Sequence, residues 1–264
     1  MKKYLVIGNP IEHSLSPKLH NYWIEENNID AIYEKKEVKS EEIKNIILDF
    51  KKKNINGINV TVPFKKDIIS YIDVLSPEAN ATQSVNTIFS DKQGSIVGHN
   101  TDIEGFEMNM LNINYNPKGK RYFILGAGGV VSSIIFTLNK LGASEILVSN
   151  RTEQKAINLK KLFPNISIVD WGEIPSFDVI INATSLGLEK NDLIDLDFSK
   201  IENNKIFYDI IYNPKETNFL KTAKKLGNIT ENGKLMFVYQ ASAAFEIWHG
   251  VKPRINDEVI KLLD

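Results

Sequence analysis

The stretch YFILGAGGVV, residues 122–131, decides the fold. Its first four residues form a short apolar run typical of a buried strand, and three of the next four are glycines. Apolar residues then recur at helical spacing over residues 130–141, and residues 145–149 predict the next parallel strand. A strand, a glycine-rich turn and a helix in this order are typical of a nucleotide-binding α/β unit.

The glycine-rich turn predicts a phosphate-binding loop. Glycines allow the backbone to approach a pyrophosphate closely, and the N-terminus of the following helix offers N–H groups to it. In the general pattern a third glycine lets the helix pack closely on the strand. Val131 stands at that position here, which predicts a slightly wider separation of helix and sheet.

The triplet Asn150-Arg151-Thr152 indicates which cofactor the loop binds. An NAD-binding fold usually has an acid about twenty residues beyond the glycines, where it accepts hydrogen bonds from the ribose 2'-OH. Arg151 instead suits a 2'-phosphate, with which a guanidinium forms charge-assisted hydrogen bonds. The sequence therefore predicts NADP(H) as the cofactor.

Composition narrows the class of ligand. The chain has 264 residues, enough for two modest domains or one large one. Its formal net charge of -1 gives no reason to expect nucleic acid or an anionic membrane as a partner, so we expect a small molecule. Because the chain has no cysteine, disulfides, thiolate metal sites and cysteine nucleophiles are excluded.

The N-terminus predicts a first strand rather than a targeting segment. Two lysines precede the apolar run of residues 4–8, which is far too short for a signal peptide, and no other apolar stretch is long enough to cross a bilayer. We therefore expect a cytoplasmic protein. The four histidines are dispersed without ligand spacing, so no metal site is expected.

Strand and helix signals alternate along nearly the entire chain, which predicts an α/β architecture with parallel sheets. The polar segment 112–120 resembles a linker. Predicted strands are residues 4–8, 31–38, 57–62, 85–90, 95–98, 122–125, 145–149, 166–169, 179–182 and 206–210. Predicted helices are residues 17–27, 41–53, 65–73, 102–111, 130–141, 233–248 and 256–263.

Polar side chains are left over at the ends of predicted strands, where ligands collect in open α/β sheets. Hydroxyls and amides with a single cation and a single carboxylate suit a small polyhydroxylated carboxylate. The serines can donate to its carboxylate, and the threonine and asparagines can bond its ring hydroxyls. The set consists of Ser14, Ser16, Asn59, Thr61, Lys65, Asn86 and Asp102.

Each of these residues also has a purely structural interpretation. Ser14 or Ser16 can cap the helix predicted to begin at Pro17. Asp102 can be an acidic residue of the kind favoured in a first helical turn. Lys65 alone is typical of a solvated surface lysine.

These segments resemble the shikimate dehydrogenase family, and they occur in the order of that family along nearly the entire chain. The resemblance is carried by GNP (8–10), HSLSP (13–17), NVTVPFK (59–65), VNT (85–87), NTD (100–102) with GF (105–106), GAGG (126–129), NRT (150–152), NATS (182–185), YNP (212–214), and QA (240–241) through AF (244–245) to Trp248.

The resemblance implies reduction of 3-dehydroshikimate to shikimate with NADPH, in the pathway to chorismate and the aromatic amino acids. It also implies two domains. Residues 1–102 and 236–264 would form an α/β substrate-binding domain, to which the C-terminal helices return. Residues 103–235 would form a Rossmann-type NADP-binding domain.

The resemblance assigns roles to individual residues. Lys65 and Asp102 would form the catalytic pair. The substrate would be held by Ser14, Ser16, Asn59, Thr61, Lys65, Asn86, Asp102 and Gln240. The cofactor would contact Gly126, Ala127, Gly128, Gly129, Val130, Asn150, Arg151, Thr152, Thr184, Ile211 and Gly233.

The expected chemistry follows from charge. Hydride reduction of a ketone builds negative charge on the oxygen, so a proton donor must lie within hydrogen-bond reach. Lys65 is expected to be that acid, held in position by Asp102. The reverse oxidation needs a neutral Lys65, so we expect it to accelerate toward alkaline pH.

Other functions are left open by the sequence. A quinate/shikimate dehydrogenase with relaxed substrate or cofactor choice would carry a similar fold, and so would a non-catalytic NADP-sensing regulatory protein. A folate-linked NADP dehydrogenase of similar shape would lack these substrate motifs. The sequence does not determine the oligomeric state, and a homodimer is one alternative.

Overall fold

The computed structural model describes residues 1–113, 115–189 and 191–264. The chain divides into two compact units, which we call unit 1 (Met1–Gly105 with Val238–Asp264) and unit 2 (Phe106–Phe237). Within the predicted linker 112–120, Asn114 lies outside the described residues.

Strands and helices alternate along the chain. The strands are β1 (Lys2–Gly8), β2 (Ala31–Glu37), β3 (Gly57–Val60), β4 (Val74–Leu75), β5 (Thr87–Ser90), β6 (Ile96–His99), β7 (Arg121–Leu125), β8 (Glu145–Ser149), β9 (Ser167–Ile168), β10 (Val179–Asn182), β11 (Ile206–Asp209) and β12 (Ile229–Asn232). The helices are α1 (Ser16–Glu26), α2 (Ile43–Lys51), α3 (Pro77–Thr82), α4 (Asp102–Asn112), α5 (Val131–Lys140), α6 (Glu153–Leu162), α7 (Asn218–Lys225), α8 (Lys234–His249) and α9 (Asp257–Leu262).

Unit 1 contains a mixed sheet of order β2-β1-β3-β5-β6-β4. Strands β2, β1 and β3 are parallel, but β5 runs antiparallel to both β3 and β6, so the prediction of purely parallel sheets is wrong here. The antiparallel pairing of β5 with β6 follows from the tight turn between them, in which Asp91 Oδ1 accepts hydrogen bonds from the N–H groups of Gln93 and Ser95. A turn this short can join only antiparallel strands.

Unit 2 contains an entirely parallel sheet of order β12-β11-β10-β7-β8-β9. The chain starts at β7, builds outward through β8 and β9, and returns to the other side of β7 for β10 to β12. This doubly wound order creates a switch point at the carboxyl ends of β7 and β10, where such sheets bind their ligands.

The fold-deciding stretch is buried on both faces of this sheet. Tyr122 and Ile124 pack into one apolar cluster of unit 2, and Phe123 and Leu125 pack into the other. Val131 is also fully buried, in the first of these clusters. A strand covered on both faces is apolar at every position, which explains the continuous run in the sequence.

The C-terminal helix α8 packs in unit 1 through its last residues. The Trp248 indole N–H donates to the Ile88 carbonyl at 3.1 Å, and the indole occupies the space that a Cβ at Gly57 would need. Trp248 also joins an aromatic cluster with His20, Tyr33 and Phe245. The predicted return of the C-terminal helices to the first unit is therefore confirmed.

The helix predicted over residues 65–73 is wrong. A short 3-10 helix spans Asp67–Tyr71 instead, and Lys65 lies in the turn before it. This segment contains β-branched residues, serine and aspartate, which are poor helix formers, and only Ile68 of the 3-10 helix is buried.

Among the described residues, the structure shows neither a membrane-spanning helix nor a metal-binding group. None of their helices has both the length and the apolar character needed to cross a bilayer. No group of three or more His, Asp or Glu side chains among them is arranged to hold a metal ion.

Candidate active site

An ion pair shielded from water lies in unit 1. Lys65 Nζ is 2.6 Å from Asp102 Oδ2, and the two side chains are only 11% and 7% exposed. Lys65 comes from the turn after β3 and Asp102 is the first residue of α4. The interpretation of Lys65 as a solvated surface lysine is therefore wrong. Burying two charges is costly unless further hydrogen bonds support them.

Hydrogen bonds fix the carboxylate of Asp102 in place. Asn86 Nδ2 donates to Asp102 Oδ1 at 2.9 Å, while Oδ2 faces Lys65. The Asp102 backbone N–H donates to Asn100 Oδ1 at 3.1 Å. Both carboxylate oxygens thus have a partner, which orients the pair before any ligand binds.

Asn86 is itself held by its neighbours. Its Oδ1 accepts from the Thr101 N–H at 2.8 Å and from the Thr87 hydroxyl at 3.0 Å. Its Nδ2 also donates to Thr101 Oγ1 at 3.0 Å. The loop before α4 and the strand β5 therefore meet through one buried amide.

Asn59 lies next to Asn86, near the end of β3. Its Nδ2 donates to the Asn86 carbonyl and to Thr87 Oγ1, both at 3.1 Å. Its Oδ1 accepts from the Tyr33 hydroxyl at 2.6 Å. Both amide hydrogens of Asn59 are thus used within the protein, although the sequence predicted contacts with the substrate.

The other residues predicted to bind substrate also belong to unit 1. Ser16 is buried, and Ser14, Thr61 and Gln240 are half-buried. Ser14 Oγ accepts from the Ser16 N–H at 3.3 Å, whereas Leu15, at the N-cap of α1, provides no side-chain cap. The capping interpretation therefore applies to Ser14 in part, and the Ser14 hydroxyl hydrogen is not used by that bond.

The glycine-rich turn in unit 2 combines one glycine required by the fold with one that is not. Gly126 has φ +112°, and a Cβ there would lie 2.7 Å from the Ala183 carbonyl oxygen. A Cβ at Gly128 would meet nothing within 4 Å. Helix α5 starts just beyond, without a side-chain cap and without an acid in its first turn. This open backbone at a helix N-terminus suits a pyrophosphate.

Two of the three residues in the triplet after β8 are exposed, as a binding surface for a charged group requires. Arg151 and Thr152 are exposed, and Asn150 Nδ2 donates to the Thr152 carbonyl at 2.7 Å. This bond folds the triplet into a turn before α6, with the Arg151 side chain in solvent.

A buried carboxylate ties two further cofactor segments together. Asp209 Oδ1 accepts from Asn182 Nδ2 and from the Ile211 N–H, and Oδ2 accepts from the Thr217 hydroxyl at 2.6 Å. Asn182 Oδ1 in turn accepts from the Thr184 hydroxyl at 2.7 Å. Burial raises the pKa of Asp209 to about 6. Thr184 and Ile211, both predicted to contact the cofactor, are thus positioned by one network.

Gly233 follows β12 and lies against the backbone of the β11 segment. A Cβ at this position would overlap the Ile210 carbonyl, and the Gly233 N–H donates to the Ile211 carbonyl at 3.2 Å. Only glycine permits this approach, so the fold alone accounts for the residue.

Sequence reasoning named neither Tyr33 nor Asp209, and it quoted Thr87 only within the VNT motif, without a role. Tyr33 and Asp209 each lie within a strand and are fully buried, so they looked like part of the core pattern. The signal that could have found Asp209 is a polar residue inside an apolar strand. A tyrosine gives no such signal, because its ring fits a core on its own.

A doubly wound sheet with an open glycine-rich turn, together with a separate unit holding a buried ammonium, is typical of a nicotinamide-dependent oxidoreductase. Residues 6–88 match the family model of the shikimate dehydrogenase substrate binding domain, and residues 110–216 match that of shikimate / quinate 5-dehydrogenase. The chain is 57% identical over 263 residues to the shikimate dehydrogenase (NADP(+)) of Pelagibacter ubique, covering 100% of this chain and 99% of that one. The chain therefore belongs to the shikimate dehydrogenase family.

Solved structures of shikimate dehydrogenases have the same fold as this chain. Shikimate dehydrogenase from Aquifex aeolicus superposes with a TM-score of 0.91 at 37% identity, covering 100% of this chain and 97% of that one. Shikimate 5-dehydrogenase from Thermus thermophilus, in complex with NADP(H) and shikimate, superposes with a TM-score of 0.90 at 29% identity, covering 100% and 98%. The predicted family, the two-domain α/β fold with a Rossmann-type unit, the enzyme class and the NADP cofactor are confirmed.

Proposed function

We propose that this chain reduces 3-dehydroshikimate to shikimate with NADPH, and catalyses the reverse oxidation with NADP+, through Lys65 and Asp102. The observation that carries the assignment of the catalytic pair is the 2.6 Å contact between two nearly buried, opposite charges. An oxidoreductase acting on a ketone needs such a proton donor where water is excluded. Membership of the shikimate dehydrogenase family supports the choice of reaction.

The proposed reaction balances one hydride with one proton. When bound, NADPH supplies the hydride to the carbonyl carbon. Lys65 Nζ donates its proton to the carbonyl oxygen, on which negative charge develops. Asp102 keeps the ammonium oriented through Oδ2, while Asn86 holds Oδ1. In the reverse direction, a neutral Lys65 accepts the proton of the hydroxyl group that is oxidised.

Substrate recognition is proposed for the hydroxyl and amide groups of unit 1. The hydroxyls of Ser14 and Ser16 would donate to the substrate carboxylate, and Thr61, Asn86 and Gln240 would bond its hydroxyl groups. The half-buried positions of Ser14, Thr61 and Gln240 support this, because they leave part of each residue accessible.

Cofactor binding is proposed for the loops at the carboxyl ends of β7, β8, β10 and β11. The backbone of residues 126–130 would hold the pyrophosphate, since Gly128 leaves room for it. Asn150, Arg151 and Thr152 would hold the 2'-phosphate, with the guanidinium supplying the charge. Thr184, Ile211 and Gly233 would complete the site. In domain terms, residues 1–102 with 236–264 would bind substrate and residues 103–235 would bind NADP.

Two further parts of the proposal concern the setting of the enzyme. We place it in the cytoplasm, where NADPH for biosynthesis is maintained, and fractionation of the native source tests this. A homodimer stays a prediction, which light scattering of the purified protein decides.

Steady-state kinetics with shikimate and quinate, each with NADP+ and NAD+, test the proposed function. We expect the highest kcat/KM for shikimate with NADP+. Comparable values for quinate or NAD+ would instead support a quinate/shikimate dehydrogenase with relaxed choice of substrate or cofactor. The family matched by residues 110–216 includes both activities in its name. NADPH binding without turnover of either substrate would support an NADP-sensing protein.

A further inference from the structure

We infer that Tyr33 is a positioning residue for the catalytic pair, acting through Asn59 and Asn86 on the carboxylate of Asp102. The inference rests on the proposed function, because it concerns the same pair. A chain of four hydrogen bonds, all buried in unit 1, connects the tyrosine hydroxyl with that carboxylate.

The first link starts from a tyrosine whose ring cannot move freely. Tyr33 is on β2 and is only 1% exposed. Its ring stacks on the imidazole of His20, with centroids 4.1 Å apart and planes 3° from parallel. The imidazole is fully buried and neither ring nitrogen has a hydrogen-bond partner among the described residues. His20 therefore serves as a flat packing surface, which fixes the direction of the tyrosine hydroxyl.

The second link is the side-chain amide of Asn59. The oxygen and nitrogen ends of an amide have nearly the same shape, so hydrogen bonds decide which way it faces. The Tyr33 hydroxyl donates to Oδ1 at 2.6 Å, and Nδ2 on the other side donates to the Asn86 carbonyl and to Thr87 Oγ1. Without the hydroxyl, Oδ1 loses this donor, and only the bonds of Nδ2 hold the amide in place.

The third link carries the orientation to the charged pair. The Thr87 hydroxyl, which accepts from Asn59, donates to Asn86 Oδ1 at 3.0 Å. Asn86 Nδ2 then donates to Asp102 Oδ1 at 2.9 Å. An Asn59 amide that shifts after loss of the Tyr33 bond would disturb its two partners, the Asn86 carbonyl and the Thr87 hydroxyl. The position of Asp102 relative to Lys65 therefore depends on the tyrosine hydroxyl.

This network changes the role of Asn59 from a direct substrate ligand to a link in the support of Asp102. Catalytic side chains must be held to within a fraction of an ångström, and hydrogen bonds behind them provide that precision. Loss of such a bond affects the transition state more than substrate binding. The expected signature is therefore a fall in kcat at a nearly constant KM.

Tyr33→Phe tests the inference, with Tyr208→Phe as a matched control. Tyr208 is also fully buried and its hydroxyl also pairs with an asparagine, Asn109 at 2.7 Å, but it belongs to unit 2 and is not linked to Asp102 by these bonds. We expect both variants to lose similar thermal stability. Only Tyr33→Phe should lower kcat for shikimate oxidation, by about five- to tenfold, the equivalent of one hydrogen bond. NADPH affinity should stay unchanged.

A double-mutant cycle with Asp102→Asn separates positioning from general loosening. If Tyr33 acts through Asp102, Tyr33→Phe lowers kcat in the wild type and causes no further loss in the Asp102→Asn background. Equal losses in both backgrounds, an unchanged kcat, or a raised KM at constant kcat would overturn the inference. Should Tyr33→Phe fail to fold, Thr87→Val breaks the same chain one link later, with the same expected outcomes. No turnover of shikimate by the wild type would contradict the proposed function instead.

Discussion

Single side chains are proposed to decide both the choice of cofactor and the transfer of the proton. At each of these positions the charge of the residue, rather than its size, is what the proposed ligand needs. Arg151 is exposed and faces solvent, whereas Lys65 is buried and faces a carboxylate. The same kind of positive charge is therefore proposed to serve cofactor binding in one place and proton transfer in the other.

Arg151→Ala tests the proposed contact with the 2'-phosphate. NADPH affinity should fall by about tenfold or more, the worth of a hydrogen bond to a charged group, while NADH affinity should hardly change. Dissociation constants measured by quenching of protein fluorescence give both values. Lys155→Ala is the matched control, because it removes an exposed cation one turn further on. Equal losses for both nucleotides would contradict the role of Arg151.

His20→Phe tests the pH dependence of stability. Burial, assisted by the charge of His249, lowers the pKa of His20 to about 3. Because the unfolded chain binds a proton more readily, the folded state loses stability as pH falls from about 6.5 toward 3. The loss at pH 5 is on the order of 2 kcal/mol.

The phenylalanine variant should lose less stability between pH 7.5 and pH 5 than the wild type in urea denaturation. It should fold well, since neither imidazole nitrogen has a hydrogen-bond partner among the described residues. Identical pH slopes for the two proteins would show that His20 does not titrate as its burial requires. The stability of the His20→Phe variant should still fall with pH, but less steeply, because burial also lowers the pKa of His249, to about 4.

Among the structural elements, substitution of two glycines in the same turn should have opposite effects on stability and on NADPH binding. Gly126→Ala should destabilise the fold by about 1 to 3 kcal/mol, because φ is +112° and the new Cβ would press on the Ala183 carbonyl. Gly128→Ala should leave the melting temperature unchanged, since that Cβ meets nothing, yet it should weaken NADPH binding. Thermal melts and NADPH titrations of both variants check this. Normal NADPH affinity of the Gly128→Ala protein would show that the pyrophosphate does not bind at this turn.

Elements were predictable from sequence where one face or both faces are buried. Strands β8 and β10 have the predicted bounds, because their apolar runs end sharply at polar residues. Helix α6 was missed because Ala156 is its only buried residue, so it shows little apolar periodicity. The antiparallel β5 was assigned to a parallel sheet because strand direction depends on the turn that follows, not on the strand itself.

Across the whole molecule, the sequence motifs brought candidate site residues together that their spacing along the chain could not have related. Lys65 and Asp102 are 37 positions apart, and Tyr33 and Asn59 are 26 apart. No local pattern relates such residues, because only the pairing of β1 with β2 and β3, and of β3 with β5, brings the segments together. The family resemblance identified Lys65 and Asp102 as a pair, whereas the hydrogen bond between Tyr33 and Asn59 could be recognised only in the structure.

The two units each contain one sheet and one proposed set of binding residues. Unit 1 carries the residues proposed for the substrate, and unit 2 those proposed for the cofactor. The proposed proton transfer from Lys65 concerns unit 1 alone. It predicts that removal of the ammonium stops the chemistry without abolishing binding.

The most direct test of that claim is the kcat and KM of Lys65→Ala for shikimate oxidation with NADP+, beside Lys66→Ala as an exposed neighbouring control. Loss of the buried cation leaves Asp102 unpaired, so circular dichroism must first confirm that the variant is folded. We expect Lys65→Ala to lower kcat by about two orders of magnitude or more at a nearly constant KM, and Lys66→Ala to leave the enzyme normal. An unchanged kcat with a large rise in KM would contradict it, and would make Lys65 a binding residue only.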